Sequence, residues 1–323
     1  MEKNINYNTF RKNYNDADSG KVFLISLIAP FALALLVSML ISTIADSNDM
    51  KATEITSSLA YIIPYTICSF LLYIGIYFFY NKTNKISFSA IKPTFKMPWH
   101  TYVLLFVIGV ISLFGIQYFI GIIDKFLDVI GYPLEKGLAV LNPTSVGKYF
   151  LCVLLLAILP AIGEELIFRG VILHGLRTRF NDVIAVVISA GMFALMHGNL
   201  QQLVYPFLLG LIMGWIVLRT GSLISSIIVH FINNFLVVTF SYIQFSTGFS
   251  LSLGNAWWTY LVAAILLAFT AGIYFLIDKF YFRHKSHEEV EKSSPKTSKF
   301  IYISLAVGAF IFMFATIFQF VAG

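Results

Sequence analysis

From Thr220 to Ile277 the chain runs for 58 residues without an Asp, Glu, Lys or Arg. Few folds tolerate that. A water-soluble domain carries about 25% charged residues spread along its length, whereas a helix crossing the hydrocarbon core of a bilayer needs about 20 consecutive apolar residues. The stretch is therefore read as two membrane-spanning helices joined by a polar turn near Thr247 to Asn255. The rest of the sequence repeats the pattern. Val22–Ala45, Leu59–Tyr80 and Trp99–Ile123 are three further spans. A fourth begins at Tyr149 and continues through Glu164, Glu165 and Arg169 to about Leu176, and the last runs from Phe300. Only 12% of the 323 residues are charged and 58% are hydrophobic, which excludes a soluble, disordered or disulfide-stapled protein. The two cysteines, Cys68 and Cys152, both lie in apolar runs and are expected to be buried, redox-silent residues. No leader peptide is expected, since the first apolar run is too long and no small-residue cleavage site closes it.

Val183–Leu218 is 36 residues long and uncharged, but is interrupted by His197-Gly198-Asn199 and Gln201-Gln202. It reads as two short spans, giving about nine (eight or nine) transmembrane helices in an all-α, polytopic membrane protein. The positive-inside rule tests this count. With a cytoplasmic N-terminus and nine spans, 18 of the 22 Lys and Arg residues fall on the cytoplasmic side. Merging the short pair would put the basic loop 278–299 outside. The net charge of +6 thus reports orientation and contact with an anionic leaflet, and no nucleic-acid partner is expected. Three regions are expected: a three-span region over 1–144, a core over 145–245 and a two-span region over 246–323.

Ionisable residues inside a bilayer are costly and mark functional sites. Span four carries Glu164-Glu165-x-x-x-Arg169, span five Phe193-x-x-x-His197 and span seven His230-x-x-x-Asn234. Pro160 and Gly163, just before the glutamates, are placed to kink the helix or open its backbone. Glu165 and Arg169, four apart, share a face and can pair. Glu164 points about 100° away at 3.6 residues per turn, free for another partner. At 1.5 Å per residue, Glu164, His197, His230 and Asn234 all lie roughly 14–22 Å from the cytoplasmic ends of their helices, so one intramembrane site can hold them. Glu and His can activate water, His and Asn can donate to an oxyanion, and a Glu/His/His set can also bind zinc. His174 reads as an interfacial residue and Asp124 and Asp128 as solvated caps. Gly210 and Gly214 read as a small-residue packing stripe.

These three motifs, in order on successive hydrophobic helices, resemble the CPBP family, the CAAX protease and bacteriocin-processing proteins related to the Ras-converting prenyl-protein endopeptidases. The resemblance covers about residues 145–245. It implies an intramembrane endopeptidase with Glu164 as catalytic glutamate, His197 as its partner in activating water, and His230 and Asn234 as the oxyanion hole. Glu165, Arg169 and Phe193 would support them. The family has been described both as metalloproteases and as metal-free glutamate proteases. The expectation here is no cofactor, with zinc on Glu164, His197 and His230 as the alternative. The expected partners are the bilayer and a membrane-associated peptide or protein substrate, and the expected location is a bacterial plasma membrane. A non-catalytic relative acting in bacteriocin self-immunity, or in control of other membrane proteins, is the competing function. A Glu/His proton relay in a transporter is a third, disfavoured by the absence of a visible repeat.

Overall fold

The computed structural model describes residues 14–46, 59–86, 97–133, 145–248 and 297–322, with isolated positions between 258 and 279. Every regular element among them is a helix: α1 (Asp16–Asp46), α2 (Leu59–Thr83), α3 (Trp99–Val129), α4 (Val146–Arg177), α5 (Asp182–Met196), α6 (Val204–Thr220), α7 (Leu223–Thr247) and α8 (Lys299–Ala322). Six of these, α1–α4, α7 and α8, are long and apolar enough to cross a membrane. The protein is all-α and polytopic. The eighth span expected from the sequence lies almost wholly outside the described residues.

The uncharged 36-residue stretch does divide in two. Helix α5 has 15 residues and α6 has 17, giving lengths of roughly 22 and 26 Å at 1.5 Å per residue, short of a core about 30 Å thick. Gly198, at φ +62°, turns the chain between them, a conformation that costs an L-residue but not glycine. The two helices pack against one another along their length.

Helix α4 is the centre of the molecule. Leu155, Ile167, Phe168, Val171, Ile172 and Leu173 have no exposed surface, and α1, α2, α5 and α7 all pack on it. The outward faces carry Phe31, Met39 and Leu40 on α1 and Phe310, Met313 and Phe314 on α8, all more than half exposed. Exposed aromatics of this size are unfavourable in water but neutral against lipid tails, so these faces are the lipid surface.

Helix α4 is also irregular. It widens into π-helical turns over Val153–Ile158 and Leu166–Ile172, on either side of an α-helical turn, Leu159–Glu165. In lipid every backbone polar group must find a protein partner, and neighbouring side chains supply several here. Pro160 has no N–H to offer Leu156, the carbonyl four residues before it, and Asn234 Nδ2 donates to that carbonyl at 3.0 Å. Around the second wide turn, Ser189 Oγ donates to Phe168 O at 3.2 Å, His174 Nδ1 to Arg169 O at 2.7 Å and Ser19 Oγ to Ile172 O at 2.8 Å. His174, expected at the interface, is thus half-buried and bonded to α4's own backbone.

The end of the bundle where α1 begins is tied by a polar cluster. Asn15 and Asp18 form a reciprocal capping box, Asn15 N donating to Asp18 Oδ2 at 2.9 Å and Asp18 N to Asn15 Oδ1 at 3.0 Å. Tyr80 OH donates to Asp18 Oδ1 at 2.7 Å, Tyr14 OH to Asn81 Oδ1 at 2.5 Å, and Ser298 N to Asp16 Oδ2 at 2.6 Å. Burial pushes the Tyr14 phenol up, so it stays a neutral donor. These bonds join α1, α2 and the approach to α8.

Labelling of engineered cysteines tests the orientation. Cys68 is half-buried and Cys152 buried, so both are replaced first. Cysteines at positions 90 and 290, which lie outside the described residues, should react from the cytoplasmic side, and one at position 50 from the outside. Reaction of positions 50 and 290 from the same side would refute nine spans.

Candidate active site

The polar motifs converge on the middle of α4. Arg169 Nη1 donates to Glu165 Oε1 at 2.7 Å, and both side chains are essentially inaccessible, at 1% and 0% exposure. The sequence spacing had anticipated this pair; its surroundings had not. Arg169 Nη2 also donates to Gly210 O on α6 at 3.3 Å. The guanidinium carbon lies 4.5 Å above the centre of the Phe193 ring, close enough for a cation–π attraction. Three helices thus share one buried cation.

His230, on α7, stands between the two glutamates. Its Nδ1 is 3.0 Å from Glu165 Oε1 and its Nε2 is 3.9 Å from Glu164 Oε2. A carboxylate only accepts, so Nδ1 carries the proton and Glu165 orients the ring. In the neutral ring, Nε2 then faces Glu164 as an acceptor, and it becomes a donor only when the ring is protonated. Glu164 differs from its neighbour. Its side chain is 16% exposed, and its contact with His230 is the long one.

His197 ends α5. Its Nδ1 donates to Phe193 O at 2.9 Å, one turn back, which leaves Nε2 as the free nitrogen. The Phe193 ring packs edge-on to both imidazoles, with centroids 5.1 Å from His197 and 5.9 Å from His230. Phe193 therefore packs against both histidines as well as under Arg169. Asn234 lies one turn beyond His230 on α7 with its amide nitrogen on the Leu156 carbonyl.

The cluster so assembled contains Glu164, Glu165, Arg169, Phe193 and His230, with His197 and Asn234 at its edges. Among the described residues no three His, Cys, Asp or Glu side chains gather as a metal site.

Sequence reasoning passed over several supporting residues. Asn233, fully buried, donates through Nδ2 to Gly109 O on α3 at 2.9 Å and accepts from Tyr205 OH on α6 at 2.7 Å. It fixes the rotation of α7 that aims His230. Its only signal was its place beside Asn234 in the middle of a membrane-spanning helix. Asp124, expected to be solvated, is half-buried and bonds Gln201 in the turn after α5, whereas Asp128 is exposed as expected.

The glycine stripe on α6 does serve packing, and at Gly210 it does more. A Cβ there would lie 3.0 Å from Ala190 Cβ, 3.1 Å from Ala190 Cα and 3.3 Å from Arg169 Nη2. The missing side chain lets α6 approach α5 closely and leaves the Gly210 carbonyl within reach of Arg169. Gly210→Val should separate the two helices and displace the guanidinium. Overpacking of this kind typically costs about 1–3 kcal/mol, to be read as a fall in the thermal midpoint of the detergent-solubilised protein, with Gly147→Val, where a Cβ meets nothing within 4 Å, as the unaffected control.

An all-α, polytopic bundle with a buried Glu/Glu/Arg/His cluster among its helices defines a membrane protein built around a buried polar site. Residues 146–236 match the family model described as type II CAAX prenyl endopeptidase, Rce1-like. The match spans α4 to the middle of α7 and takes in all three motifs; it agrees with the resemblance to CAAX proteases read from those motifs. No curated protein and no solved structure matches the chain.

Proposed function

We propose that the protein is an intramembrane endopeptidase in which Glu164 activates water to hydrolyse a peptide bond of a membrane-associated peptide or protein. The observation that carries the reading is the division of labour between adjacent glutamates. Glu165 is held by Arg169 at 2.7 Å and by His230 at 3.0 Å, while Glu164 keeps surface exposure and only a 3.9 Å contact. A general base needs water within hydrogen-bond reach, and the exposure that Glu164 keeps supports that role.

In this reading Glu164 takes one proton from water as the remaining hydroxide attacks the scissile carbonyl carbon. A new C–O bond forms and the carbonyl π electrons move to its oxygen. When the tetrahedral intermediate collapses, the C–N bond breaks, and Glu164 returns the proton to the departing amine. His230, oriented by Glu165, holds the Glu164 side of the site. His197, with Nε2 free, is the second contact to the water. Asn234 has one amide hydrogen on Leu156 O and a second to offer the oxyanion. The reaction is drawn without a metal. Activity should survive dialysis against a strong chelator, and metal analysis of the active protein should give less than one zinc per chain; stoichiometric, activity-linked zinc would refute it.

The substrate is sought by comparing peptides released from cells carrying the wild-type protein or Glu164→Gln. Peptides that appear only with the wild type identify substrate and cleavage site. Identical peptide pools would leave the competing reading, a non-catalytic regulator of other membrane proteins.

A further inference from the structure

We propose that Tyr73 on α2, outside the matched domain, donates a hydrogen bond to the oxyanion of the tetrahedral intermediate; the assignment rests on the hydrolytic reading above. Two contacts place the residue. A Cβ at Gly163 would be 3.4 Å from Tyr73 Cδ2 and 3.5 Å from Tyr73 Cβ, so Tyr73 packs against the backbone immediately before Glu164. Its hydroxyl donates to Met196 Sδ at 3.2 Å, on the residue immediately before His197. The phenol therefore spans from the flank of the proposed base to the flank of its histidine partner. It is 8% exposed and within electrostatic range of Glu164.

The resting partner is what makes this hydroxyl available. A thioether is a weak acceptor, and a bond to a developing oxyanion is charge-assisted and roughly twice as strong as a neutral one. Exchange of one for the other therefore stabilises the transition state more than the ground state. Tyr205, the comparison within the same bundle, donates instead to an amide oxygen, Asn233 Oδ1, at 2.7 Å, a strong bond suited to a fixed structural link. Of the donors expected from the motifs, Asn234 Nδ2 has one of its two hydrogens on Leu156 O and His230 Nδ1 is held by Glu165, so Tyr73 adds a donor beside the one hydrogen that Asn234 has left. Tyr73 transfers no proton in this scheme. Its hydroxyl swings from sulfur to the oxyanion as the C–O bond forms and is released when the C–N bond breaks.

The test uses the full chain in phospholipid nanodiscs and a panel of internally quenched peptides, some farnesylated near the C-terminus and some unmodified and apolar. Tyr73→Phe keeps the ring on Gly163 and removes only the donor. Loss of one oxyanion donor costs about 10²–10³ in kcat, so a loss of that order is expected, with KM within about threefold and an unchanged thermal midpoint. Met196→Leu removes only the resting acceptor and should stay within about threefold of wild-type kcat. Wild-type kcat in Tyr73→Phe would overturn the assignment. Equal losses in Tyr73→Phe and Met196→Leu would also overturn it, since they would make the bond a latch that positions His197. Full activity of Glu164→Gln, or no hydrolysis by the wild type, would overturn the protease reading itself and this assignment with it.

Discussion

Glu164→Gln should lose about 10²–10⁴ in peptidase rate, the usual worth of general-base catalysis, while folding and expressing like the wild type. The amide has nearly the shape of the carboxylate but cannot take a proton from water. Stability should hold because Glu164 contributes little to the packing: its side chain keeps 16% exposure and its contact with His230 is 3.9 Å. The measurements are initial rates on the quenched peptide panel and the thermal midpoint of the same preparations. A stable, fully active Glu164→Gln protein would remove this residue from the chemistry.

The second large effect is expected next door and has the opposite character. Glu165 and Arg169 are both buried, and each is the other's closest charge at 2.7 Å. Removing one partner strands the other in a medium that cannot solvate it, at a cost of about 3–5 kcal/mol when such a pair is broken. Arg169→Gln should be the more damaging change, because it also abandons Gly210 O and the face of Phe193, and so loosens α6 and α5 together. Glu165→Gln should lower stability and also release the orientation of His230, reducing rate in whatever folded protein remains. Thermal unfolding and folded yield read the first effect; rate per folded molecule reads the second. Stable but inactive Glu165→Gln, paired with active Glu164→Gln, would exchange the roles of the two carboxylates.

The two predictions separate because adjacent residues on a helix point about 100° apart, and that much is legible in the sequence. The same is true of the Glu165–Arg169 pair, which depends on spacing within a single turn. The position of His230 is another matter. Its sequence spacing to Asn234 suggested a common cavity, and the resemblance to CAAX proteases implied a shared role at the oxyanion. In the bundle, α7 crosses α4 so that the imidazole bridges the glutamates while Asn234 reaches back to the carbonyl opposite Pro160. Of the kink or opened backbone expected at Pro160 and Gly163, the structure has the second, as two π-helical turns, and widening lets neighbouring side chains reach the carbonyl that Pro160 leaves unmet.

What the sequence alone determined is whatever hydropathy and helical spacing determine: an all-α membrane protein, the positions of its long spans, the division of Val183–Leu218 into two short helices, and the ion pair of Glu165 with Arg169. These follow from transfer free energies and from contacts within one turn, which depend on neighbours in the chain. Only the tertiary structure decided which nitrogen of His230 faces which glutamate, that the Gly210 carbonyl helps hold Arg169, that Asn233 sets the rotation of α7, and that Tyr73 of α2 lies against the glutamate turn. Each of these joins residues from different helices. Their geometry is set by how closely the helices approach and how each is rotated about its axis, and no local spacing encodes either.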